Sequence, residues 1–176
     1  MRGGLLAARR SRTDLVNADA GVRATLAALA TGLGTVAAYV PLPFEPGGRE
    51  LPDALAAACA RLLLPVLRPD LDLDWAPYAG DLVRAGRGLC EPPGPRLGPA
   101  AVASADLVIV PALAVDRRGV RLGRGGGSYD RALSRVPAGT PVIAALYEGE
   151  LVDALPADPH DIRVTGVATP TGLTRL

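Results

Sequence analysis

Two arginines and a run of glycines stand together as a chain would place them to hold phosphate. Arg121-Leu122-Gly123-Arg124-Gly125-Gly126-Gly127 runs directly into Ser128-Tyr129-Asp130-Arg131. Glycine lets backbone N–H groups approach an anion, arginine adds full positive charge, and a helix starting at Ser128 adds partial charge at its N-terminus. Asp130 falls in the first turn of that helix. A carboxylate there is commonly a dipole partner. Beside a phosphate loop it can instead hold Mg²⁺, which takes few protein ligands and keeps water and phosphate for the rest. A P-loop is excluded because all 19 basic residues are arginine and the motif requires lysine. A dinucleotide fingerprint fails as well: counting from Gly123, the third residue is Gly125 but the sixth is Ser128. The glycines alone favour a flexible turn between strand and helix.

The elements that must carry these residues are legible around them. Residues 107–115 read as a buried strand, Asp116 to Gly119 as a polar turn, and residues 128–136 as a helix. Upstream, Leu5 to Leu33 has helical spacing, either as one helix or as two shorter ones re-capped at Asp14 or Asp19. Thr35 to Val40 reads as the first strand and Leu51 to Leu63 as a helix with Pro52 in its first turn. Leu64 to Leu67 begins a second strand, which Pro65 places at an edge or bend. Asp70 to Tyr78 alternates aspartates with Leu71, Leu73 and Trp75, as a half-exposed strand does. Gly80 to Pro99 carries five glycines and four prolines and reads as irregular coil. Pro141 to Leu146 is a further buried strand and Val164 to Ala168 the last. Strands alternating with helices predict a single-domain α/β layered fold over residues 1–176, with a mostly parallel central sheet flanked by helices.

Composition sets the outer limits. A chain of 176 residues, 49% hydrophobic, can bury one sizeable core. Its net charge of +1 argues against a general binder of nucleic acid or membrane surfaces. Cys59 and Cys90 have neither metal-type nor redox-type spacing, and no run is apolar for long enough to span a membrane. A soluble cytoplasmic protein is the default expectation. A monomer is expected, with a dimer left open.

A longer pattern surrounds the glycines. Val110-Pro111-Ala112-Leu113-Ala114-Val115-Asp116, then Gly119, then Arg121 to Asp130, resembles the signature of the 5-formyltetrahydrofolate cyclo-ligase (5,10-methenyltetrahydrofolate synthetase) family, approximately V-P-G-L-A-F-D-x-x-G-x-R-L-G-x-G-x-G-Y-Y-D. Tyr39 to Glu45 resembles the family's early strand and acidic turn, and Gly88 to Pro92 its central G-I-x-E-P segment. His160-Asp161 with Val164 to Thr169 resembles its C-terminal strand. The resemblance implies a Rossmann-like fold of the NagB/RpiA/CoA-transferase kind. It also implies ATP- and Mg²⁺-dependent cyclisation of 5-formyltetrahydrofolate to 5,10-methenyltetrahydrofolate, with the formyl oxygen phosphorylated and N10 attacking the activated carbon. Carried over by position, Arg121, Leu122, Gly123, Arg124, Gly125, Gly126, Gly127, Ser128 and Tyr129 would cradle ATP, with Arg121, Arg124 and Tyr129 nearest the chemistry. Asp130 and Asp161 would hold Mg²⁺, while Val40, Glu45 and Tyr129 would contact a folate that could be polyglutamylated.

Three positions depart from the family pattern. Its first helix usually carries a Lys-x-x-x-Arg pair that reaches ATP; Arg2 falls on the arginine, and the lysine position would precede Met1. Ser128 replaces the first of two tyrosines, and Arg87 stands where relatives often have an aromatic. A non-catalytic folate- or nucleotide-binding relative is therefore the alternative expectation. The residues also keep plainer readings: Glu45 as a solvated loop charge, Asp161 as a cap, His160 as an exposed loop histidine and Asp116 as a turn residue.

Overall fold

The computed structural model describes residues 1–158 and 161–176. Its centre is a seven-stranded sheet. The contributing strands are β1 (Thr35–Ala37), β2 (Arg61–Leu67), β3 (Leu73–Pro77), β6 (Leu107–Pro111), β9 (Val142–Ala145), β11 (Gly166–Thr169) and β12 (Gly172–Arg175), in the order β12-β11-β9-β6-β1-β2-β3. The five inner strands pair in parallel, and only β3 and β12 run antiparallel, one at each edge. This is the mostly parallel α/β layer expected.

The two faces follow from alternation along each strand. Val36, Leu62, Leu64, Leu107, Ile109 and Ile143 point to one side, where Val22 and Leu26 of α2 (Leu15–Ala30) and Leu51 and Leu55 of α3 (Leu51–Ala58) cover them. Ala37, Leu63, Trp75, Val108, Val110 and Ala144 point to the other. There α4 (Ser128–Leu133) and a 3-10 turn at Pro99–Ser104 pack with Leu133 and Val102. Both faces are covered, so inner strands such as β6 are continuously apolar rather than alternating. No helix among the described residues is long and apolar enough to cross a membrane.

Several boundaries differ from expectation for identifiable reasons. The N-terminal helical stretch is two helices, α1 (Arg2–Arg10) and α2. The break lies at Ser11–Asp14, where the Arg12 guanidinium binds both carboxylate oxygens of Asp14. Asp19 does not interrupt α2; its carboxylate accepts from Gly47 N and the Tyr147 hydroxyl. The helix expected through Leu63 stops at Ala58, because Arg61 to Leu63 already pair with Thr35 to Ala37 as strand. Pro65 therefore sits in an interior strand, not at an edge. It is tolerated because β1 ends its pairing at Leu63, so Pro65 faces a partner, Trp75, on one side only. Leu71 is not part of β3 but lies in the preceding turn with positive φ. The stretch from Gly80 to Pro99 holds a small hairpin, β4 (Val83–Arg84) with β5 (Cys90–Glu91). The strand expected over 107–115 splits: β6 ends at Pro111, and β7 (Ala114–Asp116) joins a second sheet between β10 (Leu151–Val152) and β8 (Arg121–Leu122). The β7–β8 hairpin is what carries Arg121 to the cleft.

Candidate functional site

In a doubly wound sheet, ligands bind outside the carboxyl ends of the strands, where chain order reverses. Here β1 is followed on one side by β2, while β6 lies on its other side and leads away through β9, so the reversal falls between β1 and β6. A cleft of about 940 Å³ opens there. Tyr39 and Val40 leave β1 into it, Pro111 and Ala112 leave β6 into it, and the glycine loop forms its rim. All the residues expected at the site border this one cleft: Arg2, Val40, Glu45, Arg121 through Asp130, and Asp161. His160 lies outside the described residues.

The rim is built for close approach. Gly125 and Gly127 have φ of +104° and +69°, which a side chain would strain. Among the described residues, the N–H groups of Gly125, Gly126 and Gly127 donate to no protein acceptor. Gly127 in the left-handed region is the N-cap of α4. That helix has only 6 residues, so the donors this rim offers are the loop amides and arginines more than a helix dipole. Ser128 makes no side-chain cap.

The charges are already paired across the cleft. Arg121 is nearly buried; its Nη2 donates to Asp130 Oδ1 at 2.9 Å and its Nη1 to the Pro111 carbonyl at 3.4 Å. Its Nε is buried without a protein partner. Its guanidinium carbon lies 5.8 Å from the Tyr129 ring centroid. Burial, reinforced by the Glu45 charge, pushes the Tyr129 hydroxyl far above the usual phenol range, so it stays protonated. Glu45 is 5% exposed, not a solvated loop charge. Its Oε1 accepts from Arg124 Nε at 2.8 Å and its Oε2 from Leu42 N at 2.9 Å. Arg2 Nε donates to the Gly123 carbonyl at 3.0 Å, which brings the first helix to the glycine loop. Asp161 Oδ2 accepts from Asp158 N at 2.8 Å, a capping contact beside the cleft.

Asp116 proves to be more than a turn residue. It is fully buried, and its carboxylate accepts from Arg118 N, Val120 N, Leu155 N and the Arg118 side chain. It thereby fixes the hairpin that presents Arg121. Arg87, in a left-handed turn of the β4–β5 hairpin, lines a small side pocket instead of the main cleft. Tyr39, buried at the exit of β1 with its hydroxyl donating to the Pro46 carbonyl, was not anticipated as a site residue. Its position two residues past a central strand, before the acidic turn, is the signal that could have found it.

A layered α/β protein with a cleft at its topological switch point, rimmed by glycines and arginines, is the class this architecture defines. The model of the 5-formyltetrahydrofolate cyclo-ligase family matches residues 1–170. The chain is 47% identical to a 5-formyltetrahydrofolate cyclo-ligase of Mycolicibacterium smegmatis, over 97% of this chain and 92% of that protein. It is 32% identical to the 5-formyltetrahydrofolate cyclo-ligase of Escherichia coli K12, over 78% of each. Among solved structures, the 5,10-methenyltetrahydrofolate synthetase of Aquifex aeolicus superposes with a TM-score of 0.80 at 26% identity, covering 99% of this chain and 90% of that one. The chain belongs to the 5-formyltetrahydrofolate cyclo-ligase family, and membership makes it a ligase of that type.

Proposed function

We propose that this protein closes the ring of 5-formyltetrahydrofolate to give 5,10-methenyltetrahydrofolate, consuming ATP with Mg²⁺ and releasing ADP and phosphate. The observation that carries the reading is the meeting, in one cleft, of the glycine–arginine loop with a buried carboxylate from the loop after β1, Glu45. The residues present fit the ligands. The loop amides and the unpartnered Arg121 Nε suit phosphate oxygens. One or two carboxylates suit Mg²⁺ when phosphate completes its shell, and Asp130 and Asp161 supply them.

ATP supplies the phosphoryl group that turns a poor leaving group, the formyl oxygen, into a good one. The chain's own work is placement and charge neutralisation. Arg121 and Arg124 offset phosphate charge, and Arg2 closes the loop from the side of α1. Glu45 accepts N–H bonds from the aminopyrimidinone edge of the pterin, and Val40 lines the same pocket. Tyr129, kept neutral, packs beside the formyl group. The test is direct: purified protein is mixed with 5-formyltetrahydrofolate and Mg-ATP, and the absorbance of the methenyl product is followed. Product formation at a rate requiring all three components is expected. Both ligands binding without product would make the protein a non-catalytic binder, and neither binding would remove the assignment.

A further inference from the structure

Helix α1 has little apolar surface to hold it in place. Its one buried residue is an arginine, Arg9, which is 1% exposed. Leu5 is half-buried and packs beside Val120 and Leu155. Arg9 Nε and Nη2 donate to the two carboxylate oxygens of Glu150, each at 2.7 Å, and Nη2 also donates to the Ala112 carbonyl at 2.6 Å. Glu150 is itself fixed, because Oε2 also accepts from Tyr147 N. The guanidinium lies 5.4 Å from the Tyr147 ring centroid. These anchors belong to the cleft's foundation: Ala112 is the residue after Pro111, whose carbonyl receives Arg121.

Arg2 and Arg9 are both on α1, seven residues apart. At about 100° per residue that is within about 20° of two full turns, so both lie on one face, separated by about 10 Å along the axis. Arg9 grips the base of the cleft at one end of this face, and at the other end Arg2 reaches the Gly123 carbonyl. A few leucine contacts allow a helix to slide or roll. A bidentate guanidinium–carboxylate pair fixes direction as well as distance. A buried ion pair also contributes little net stability, because desolvating both charges offsets most of their attraction.

We propose that Arg9 is a positioning residue: by fixing the register of α1 through Glu150 and Ala112, it places the Arg2 guanidinium at the glycine loop to meet the nucleotide's phosphates. This rests on the reading of the loop as the ATP site. It adds a role for two residues, Arg9 and Glu150, that touch neither ligand.

The experiment measures Mg-ATP affinity of the whole protein by calorimetry, without folate, for Arg2→Met, for Arg9→Met with Glu150→Leu, and for the triple variant. Both partners of the buried pair are replaced because a lone buried Glu150 would destabilise the fold. Arg2→Met is expected to weaken ATP binding about tenfold to a hundredfold, the range for one lost charge-assisted hydrogen bond. The Arg9/Glu150 variant should match it, and the triple should agree with either within about twofold, since all three remove the same contact. Wild-type affinity in the Arg9/Glu150 variant, with Arg2→Met weakened, would overturn the proposal while leaving the ATP site standing. Losses that add in the triple would overturn it too, marking a general structural effect. Wild-type affinity in Arg2→Met would remove Arg2 from the nucleotide site and the proposal with it. If thermal melting shows the apolar pair unfolded, Arg9→Lys takes its place: an ammonium keeps the charge balance but cannot span both Glu150 oxygens and the Ala112 carbonyl. The same non-additivity with Arg2→Met is then expected, and additivity overturns the proposal.

Discussion

Replacing Asp116 by asparagine should weaken the protein at neutral pH and hardly at all in strong acid. Burial alone would raise the pKa of this carboxyl, but the Arg118 guanidinium and three backbone N–H groups outweigh it and bring the value to about 2, from an ordinary 3.8. A folded-state pKa below the unfolded one means stability that is present above pH 3.8 and is lost as pH falls towards 2. A shift of about 1.8 units corresponds to about 2.5 kcal/mol at pH 7, with about half of it gone by pH 3. Urea unfolding of wild type and Asp116→Asn at pH 7, 5, 4 and 3 measures this. The difference between the two proteins should be about 2–3 kcal/mol at pH 7 and 5, and about half that at pH 3. A gap that stays constant down to pH 3 would refute the argument, because the loss would then come from hydrogen-bond geometry and not from the charge. Asp116 fixes the hairpin bearing Arg121, so the variant's remaining folded fraction should also bind Mg-ATP more weakly.

Three further outcomes are expected. Asp130→Asn should lower kcat about a hundredfold and raise the Mg²⁺ concentration needed for half-maximal rate, while Tm stays near wild type; a large fall in Tm with normal Mg²⁺ dependence would assign Asp130 to holding Arg121 alone. Glu45→Gln should raise KM for 5-formyltetrahydrofolate about tenfold or more at saturating Mg-ATP, and an unchanged KM would take Glu45 out of the folate site. Gly119→Ala should cost about 2–4 kcal/mol, or roughly 5–15 °C in Tm, because φ is +83° and an added Cβ would overlap the Val164 carbonyl oxygen; a thermal melt checks it.

The layered fold was legible because buried parallel strands leave an unmistakable trace: Leu107 to Val110 and Val142 to Ala145 are apolar at every position. Element ends were less legible where pairing decides them. Nothing local distinguishes Arg61-Leu62-Leu63 as strand from the helix before it; the strand exists because β1 lies alongside. β12 is illegible for a similar reason, its weak pattern being stabilised by β11 across the Thr169–Gly172 turn. The residues singled out from the long composite motif border one cleft. What it could not reveal is how they are paired at rest. Arg124 with Glu45 spans 79 residues of sequence and Arg9 with Glu150 spans 141, and neither pairing has a local signature. The split of the 107–115 run was readable in principle, since Pro111 lacks the N–H needed to continue the ladder.

The resting cleft resembles a set of locks already fitted with internal keys. Arg121 holds Asp130, Arg124 holds Glu45, and Arg2 holds the Gly123 carbonyl. Three cations against two carboxylates leave a surplus of only one positive charge among these groups. An anion arriving alone can meet Arg2 and the free loop N–H groups, but it draws on Arg121 or Arg124 only in competition with Asp130 or Glu45, so simple anions such as inorganic phosphate should be held weakly. A visitor that brings opposite charges or donors together can relieve both members of a pair at once: on the proposed reading a metal-bound polyphosphate would satisfy Arg121 and Asp130, and donors from a heterocycle would satisfy Glu45 in place of Arg124. Binding would then be an exchange of partners, with a salt dependence expected to be shallower than a count of arginines suggests.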